Sequence, residues 1–456
     1  MPERTTREVF VGEGVGGGGP DRLHVNIGPA HPAMHGIIRI FAELDGEIVV
    51  KADVEIGYLH RAFEKHCEVG PYNNAIPYTD RLNYVSPLIN NFGYAAAVEK
   101  LLGIEITERC RYIRVLMSEI SRICDHLTCI GASAMELGAF TVFLYMIKAR
   151  EFLWELVEEV TGARLTISYG RVGGVKADLP DGFGIAVRKA FVEVREVLKE
   201  VHTLLTGNRI FMDRMVGIGA LSREDTIAWG ITGPLLRAAG VPFDVRKAQK
   251  YWAYDQVEFE IPVGKNGDNF DRYLVRMAEM EQSMRIVEQA LDKIPGGPIN
   301  VDFQGNPIDP STYVDRGKQG KTEGLLFVPL TLSPNLQGQD RRSQERVNVR
   351  DKRVVLPPKE NTYGSIEGLM NHFMLVMDGY GIRPPAGDAY FAVEGANGEL
   401  GFYVVSDGTD RPYRVRCRPP CLPPVAALPR MIERHMIADV IPTFGSVNMI
   451  GGELDR

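Results

Sequence analysis

From about residue 79 to residue 295 the apolar residues of this 456-residue chain recur at three- and four-residue steps, and that long helical tract most constrains its fold. Within Glu108 to Gly131, the residues Ile113, Leu116, Ile120, Ile123 and Leu127 fall on one helical face. Arg81 to Leu102, ended by Gly103, reads as a second helix, and Phe140 to Val160, stopped near Gly162, as a third. Asp181 to Leu205 and Phe270 to Ala290 extend the set, and Ser222-Arg-Glu-Asp is a serine cap followed by early acidic residues. Apolar stripes of this length must be buried against one another, so residues 79–300 are expected to form a helical bundle.

The flanks read differently. Residues 22–78 form an N-terminal antiparallel β region: Arg22-Leu-His-Val-Asn-Ile and Ile37 to Val50 carry β-branched residues, and Asp45-Gly46 is a hairpin signal. In residues 359–456 a helix is expected from Ser365 to Asp378. Tyr390-Phe-Ala-Val-Glu and Gly401-Phe-Tyr-Val-Val should pair around Ala396-Asn-Gly, giving a mixed β-hairpin and helix region. The fold class is therefore α+β. Residues 1–21 read as a glycine-rich mobile leader, and 301–358 as an irregular insertion rich in Pro, Gly, Gln and Arg. Arg341, Arg342, Arg346 and Arg350 make that insertion basic, either to clamp a neighbouring subunit or as a solvated loop.

Composition excludes several classes. A net charge of −7 gives a nucleic-acid partner no electrostatic support. The six cysteines, at 67, 110, 124, 129, 417 and 421, include no CxxC pair, which fits a reducing compartment better than a disulfide or zinc framework. No apolar signal segment is expected in the leader, and the stretch from Ile130 to Ile147 is interrupted by Glu136. Membrane association would have to run through partners. No GxGxxG follows a strand, so a soluble flavin or nicotinamide enzyme has little support.

The segment Gly28-Pro-Ala-His-Pro-Ala-Met-His-Gly36 carries two histidines four residues apart, with Pro32 between them. Proline removes an amide donor and biases His31 away from helical angles, so this is no helical HxxxH metal pair. It reads as a stiff loop between strands. Its imidazoles either satisfy nearby carbonyls or form a proton-handling site, since imidazole titrates near neutrality.

That segment resembles the GPxHPxxHG signature of the quinone-site subunit family of respiratory complex I, its D-type subunits. Gly57-Tyr-Leu-His-Arg-Ala-Phe-Glu-Lys65, Tyr78-Thr-Asp-Arg-Leu-Asn-Tyr84 and Ala134-Met-Glu-Leu-Gly-Ala-Phe-Thr141 are similar to further family motifs. So are Gly162-Ala-Arg through Gly173-Gly174, Leu236-Arg-Ala-Ala-Gly with Phe243-Asp-Val-Arg-Lys247, Glu399-Leu-Gly-Phe-Tyr through Ser406-Asp-Gly408, and the final Gly-Glu-Leu-Asp-Arg456. They occur in the family's order over about residues 22–300 and 355–456. The family in turn resembles the large subunit of nickel–iron hydrogenases, which holds metal on two CxxC pairs. The corresponding positions here read Leu59-His60-Arg61 and Asn448-Met-Ile-Gly451, so no metal is expected on this chain.

The resemblance implies that a quinone, as substrate, is reduced in a cavity shared with a small iron–sulfur subunit. The cluster belongs to that B-type partner, and nothing is bound covalently here. His35 and Tyr84 are implied as the catalytic donors to the quinone carbonyls, with His31 beside them and Glu136, where the family usually has aspartate, pairing with His35. Arg61 and Arg81 match arginines near the partner's cluster. Thr166 stands where a histidine is usual, which implies weaker coupling of the cluster potential to pH. The other implied partners are C-type and H-type subunits, at the cytoplasmic side of a bacterial inner membrane, in a proton-translocating NADH:quinone oxidoreductase. The alternatives are a hydrogenase-type or ferredoxin-linked membrane complex and a non-redox scaffold. Ubiquinone and menaquinone both stay open.

Overall fold

A computed structural model describes residues 22–301, 305–307, 359–377 and 381–456. The expected leader, and the insertion apart from Val301 and residues 305–307, lie outside the described residues.

The N-terminal sheet is antiparallel, in the order β1 (Leu23–Ile27), β2 (Arg39–Asp45), β3 (Ile48–Glu55). The hairpin turns at Asp45-Gly46, where Gly46 has a φ of +60° that only glycine adopts cheaply. Period-two alternation sends Ile40, Ala42 and Leu44 to one buried face, and the register shift at Glu43–Leu44 brings both Ala52 and Val49 opposite them onto it.

Five long helices form the centre: α1 (Pro87–Leu102), α2 (Glu108–Glu136), α3 (Phe140–Thr161), α4 (Phe183–Leu205) and α5 (Asn269–Lys293). Most of α2 from Cys110 to Ala134 is buried, because it packs against α3, α5 and α1. Two expected boundaries move. The helix expected from Arg81 begins at Pro87, since Ser86 precedes a proline and takes a non-helical φ of −125°. Residues 81–86 form a turn, so Tyr84 is a turn residue and not a helical one. Gly131 does not end α2. Its missing Cβ instead lets α3 approach, because a Cβ there would stand 3.1 Å from Met146 Cβ.

The C-terminal sheet, β4 (Gly387–Gly395), β5 (Gly398–Ser406) and β6 (Arg414–Arg418), contains the expected hairpin and one strand more. It lies on α1, which is buried all round and has glycine at position 93, where a Cβ would sit 3.1 Å from both Phe402 and Val393 side chains. The expected helix after Ser365 is α6 (Ile366–Val376), capped by Ser365 Oγ, which accepts the Gly368 N–H at 3.1 Å. Ser222 likewise caps Arg223–Ala228.

Short helices that sequence periodicity did not signal follow β6, then α7 (Ile437–Val447) and the terminal turn Gly451–Asp455. They return to the N-terminal sheet. Ile48 bridges Met436, and the buried face of β2 and β3 shares a second core with Leu428, Ile432, Val440 and Phe444. The N-terminal sheet and the C-terminal helices thus come together beside the C-terminal end of α2. No helix among the described residues is long and apolar enough to cross a membrane.

Candidate functional site

The histidine loop connects β1 to β2. Pro32–Met34 make one 3-10 turn, and His31 caps it: its Nδ1 accepts the Ala33 N–H at 3.2 Å. His31 therefore shapes the loop, as a side-chain acceptor before a proline is suited to do. His35 ends the turn with a φ of 55°. This left-handed conformation tips the imidazole outward, 6.4 Å from the ring of Phe444 on α7. His35 is exposed, yet the protein around it lowers its proton affinity by desolvation, which favours the neutral ring.

Tyr84 is half-buried in the turn before α1, packed against the second core. Its hydroxyl makes no hydrogen bond among the described residues. Burial raises its pKa, with Cys421 and Asp125 adding to the rise and Arg61 opposing it. Beneath Tyr84 runs a buried polar chain. Asp125 Oδ2 accepts from Asn83 Nδ2 at 2.8 Å and from Ser86 Oγ at 2.7 Å, on either side of Tyr84. Asp125 Oδ1 accepts from Asn448 Nδ2 at 2.8 Å, and Asn448 also reaches Asn397 Oδ1 at 2.5 Å. Asn397 donates to Cys421 Sγ at 3.3 Å, and the Cys421 N–H donates to Glu453 Oε1 at 3.2 Å. Burial, then the charge of Asp125, pushes Glu453 up to about 8.

Glu136 ends α2. The expected pair with His35 is not formed: no hydrogen bond or ion pair joins them, and Glu136 Oε2 is buried with no hydrogen-bond partner among the described residues. The carboxylate turns instead toward α7, where a Cβ on Gly445 would collide with Oε2. Desolvation alone pushes Glu136 up to about 8, so it is largely protonated at neutral pH. The two side chains nevertheless rest on adjacent α7 residues, His35 on Phe444 and Glu136 on Gly445.

The segments around Leu59-His60-Arg61 and Asn448-Met-Ile-Gly451 do meet. A Cβ on Gly451 would clash with Ile37 and stand 3.1 Å from Leu59 Cδ2. Asp455 ties them together, accepting the Gly57 N–H at 3.0 Å and the Leu59 N–H at 2.8 Å, while His60 Nδ1 meets the Asp455 carbonyl at 2.7 Å. Arg61 and Arg81 are brought together too. Arg61 Nη2 donates to the Arg81 carbonyl at 2.6 Å, and Arg81 Nη1 to the Pro77 carbonyl at 2.7 Å. Both guanidiniums stay exposed, and Arg81 has Asp80 at 3.6 Å. Among the described residues no group of three His, Cys, Asp or Glu side chains is placed to hold a metal ion. All six cysteines are buried and unpaired.

The sequence singles out His31, His35, Arg61, Arg81, Tyr84 and Glu136 but does not signal Asp125, Asn397, Cys421 and Glu453. A carboxylate inside Met449-Ile-Gly-Gly-Glu453-Leu454 was the available signal, since an acid among apolar and glycine residues is either buried or at a turn.

An α+β subunit on a long-helix bundle, with one polar site gathered from both chain ends, is the class these features define. The chain belongs to the family of the respiratory-chain NADH dehydrogenase 49 Kd subunit, whose family model matches residues 136–320 and 336–456. It is 49% identical over 435 residues to the D subunit of the NADH-quinone oxidoreductase of Myxococcus xanthus (strain DK1622), covering 95% of this chain and 93% of that protein. A D-type subunit of the same enzyme from Sorangium cellulosum (strain So ce56) is 49% identical over 95% of both chains. In Bdellovibrio bacteriovorus a single chain fuses the C and D subunits of NADH-quinone oxidoreductase, and it is 46% identical over 95% of this chain and 69% of that protein.

Proposed function

We propose that this chain is the quinone-site subunit of a proton-translocating NADH-quinone oxidoreductase, active only within the assembled complex. The relatives' names support the complex, and one observation carries the site. Tyr84 is half-buried, its hydroxyl makes no hydrogen bond among the described residues, and it packs against the same core as the loop that presents His35. Both are donors able to bind the carbonyl oxygens of a quinone head group. Reduction to quinol takes two electrons and two protons. The electrons come from an iron–sulfur cluster held by a small B-type partner, which docks near the exposed Arg61 and Arg81.

This chain's part is to bind, orient and protonate. The O–H of Tyr84 is the proximal proton donor, while the N–H of His35 hydrogen-bonds the other carbonyl and passes on a proton only after the ring has taken one up as imidazolium. Glu136, largely protonated at neutral pH, stands in reserve against Gly445, one residue on from the Phe444 that His35 rests against. Its pairing with His35 belongs to a state in which the His35 ring has taken up charge, because only an imidazolium gives a carboxylate a counter-charge. Such a change of charge biases the neighbouring loops and the H-type membrane partner, which couples the chemistry to pumping. A C-type partner beside this chain is supported by the fused C/D relative. The chain sits peripherally, on the cytoplasmic side of the membrane.

The test uses the assembled complex with Tyr84→Phe and His35→Ala. Quinone reduction should fall by at least about tenfold in each, the scale of a lost acid–base group. Electron flow to an artificial acceptor upstream of the quinone should be retained. Full quinone reduction in both variants would defeat the assignment, and stoichiometric nickel in the complex bound to this chain would favour the hydrogenase-type reading instead.

A further inference from the structure

Tyr84 sits in a turn that side chains hold together. The N–H groups of Val85 and Ser86 go to Asn83 Oδ1, at 3.1 and 3.2 Å, and not to a backbone carbonyl. Asn90, on α1, donates through Nδ2 to the carbonyls of Asn83 at 2.9 Å and Thr79 at 3.1 Å. The turn keeps this shape only while the Asn83 amide points its oxygen at the two N–H groups and its nitrogen away from them. Asp125 Oδ2 sets that orientation, because a carboxylate oxygen accepts from Asn83 Nδ2, at 2.8 Å, and would repel Oδ1.

Ser86 and Asp125 both depart from ordinary helix chemistry. Ser86 stands at the N-cap of α1, where a serine hydroxyl commonly caps the helix. It makes no cap bond here and donates to Asp125 Oδ2 at 2.7 Å. Asp125 lies inside α2, where aspartate is a poor helix former, and is fully buried. The side chains bonded to it, Asn83, Ser86 and Asn448, are all neutral. A buried carboxylate is costly, and hydrogen bonds to it are roughly twice as strong as those between neutral groups. One oxygen of Asp125 thus grips the chain one residue before Tyr84 and two residues after it. The other, through Asn448 Nδ2 at 2.8 Å, is braced against the C-terminal segment.

We infer that Asp125 is the positioning residue of Tyr84, its carboxylate fixing the 83–86 turn so that the phenol is held toward a quinone oxygen with its hydroxyl free. This rests on the reading of Tyr84 as a proton donor to quinone. Asp125 touches no reacting atom. Anchors on both sides of one residue fix its Cα–Cβ direction, and a donor displaced by about 1 Å loses much of its effect. Because Asp125 acts only through the Tyr84 hydroxyl, removing it costs at most what removing that hydroxyl costs.

The experiment compares Asp125→Ala, Tyr84→Phe and the double variant in the assembled complex. Asp125→Ala should lower quinone reduction by about tenfold and keep electron flow to an acceptor upstream of the quinone. In the Tyr84→Phe background it should cause no further loss. Asp125→Asn should recover most of the activity, since an amide oxygen can hold Asn83 and Ser86 once the Asn448 and Asn397 amides turn over. An electron cryomicroscopy map of Asp125→Ala should show the 83–86 turn and the Tyr84 ring displaced. Should Asp125→Ala not assemble, Ser86→Ala removes one of the two bonds to Oδ2 and should show a smaller loss that also vanishes in Tyr84→Phe. Full quinone reduction in Tyr84→Phe would defeat the reading of Tyr84, and this inference with it. The positioning role alone is overturned by normal activity in Asp125→Ala beside an impaired Tyr84→Phe. It is also overturned by losses that multiply in the double variant, by no recovery with asparagine, or by an unmoved Tyr84 ring.

Discussion

Glu136→Gln isolates the carboxyl at the end of α2. In the structure Oε2 is buried, unpartnered and pressed toward Gly445, and desolvation carries the group from an ordinary glutamate value of 4.5 to about 8. That distance corresponds to roughly 5 kcal/mol of disfavour for the charged form. Solvent reaching the rest of this half-buried side chain makes the figure a ceiling, so a few kcal/mol is the working magnitude. At pH 7 about ten protonated carboxyls should exist for each ionised one. The linkage has a definite sign. The folded pKa lies above the unfolded one, so the group's stabilising effect is complete below about pH 4.5, is lost progressively as the pH rises to about 8, and changes no further above that. Glutamine keeps the shape and removes the titration. Infrared titration of the assembled complex, wild type minus Glu136→Gln, should show a protonated-carboxyl C=O band that disappears with a midpoint near pH 8. Amide exchange in the last turn of α2 should be slower in Glu136→Gln than in wild type at pH 8, with the difference vanishing at pH 4. A band with a midpoint near 4.5, or an exchange difference constant with pH, would refute the desolvation argument.

Three further outcomes follow from packing. Gly445→Ala forces a Cβ onto Glu136 Oε2 and should cost about 1–3 kcal/mol of stability in denaturant unfolding, with less than additive cost when combined with Glu136→Ala. Gly452→Ala drives a Cβ into the main-chain carbonyls of Arg81 and Leu82, which cannot rotate away as a side chain can. It should separate Arg61 from Arg81 and show as loss of assembled complex on native gels. Arg114→Met leaves buried Glu99 without the guanidinium that meets its oxygens at 2.8 and 2.5 Å, and should destabilise the chain by about 3–5 kcal/mol, measured by thermal unfolding within the complex.

Much of the fold was legible because periodicity is a local property. The stripe from Ile113 to Leu127, the Asp45-Gly46 turn and the caps at Ser222 and Ser365 each act within a few residues, and each appears where the sequence predicts it. Where expectation failed, a distant partner intervened. Gly131 looks like a helix stop in isolation, but it is the place where α3 touches α2. Tyr84 looked helical until Ser86-Pro87 set the start of α1.

The site divides the same way. The order of residues along the chain was enough to define the chemistry on offer: two histidines in a proline-stiffened loop, a tyrosine beside an arginine, and no CxxC pair at either end. Pro32 established that His31 and His35 could not act as a helical pair, because proline acts on its own backbone and its neighbour's. Which groups meet was settled by packing in three dimensions. Packing folded Gly451 onto Leu59, set Arg61 against the Arg81 carbonyl, and left Glu136 facing Gly445 with no hydrogen bond to His35. It also buried Asp125 and Glu453 beside Tyr84, from opposite parts of the chain. Desolvation and hydrogen bonding depend on what lies within a few ångströms in space, and residues 136, 397 and 448 become neighbours of this site only when the C-terminal segment folds back onto α2.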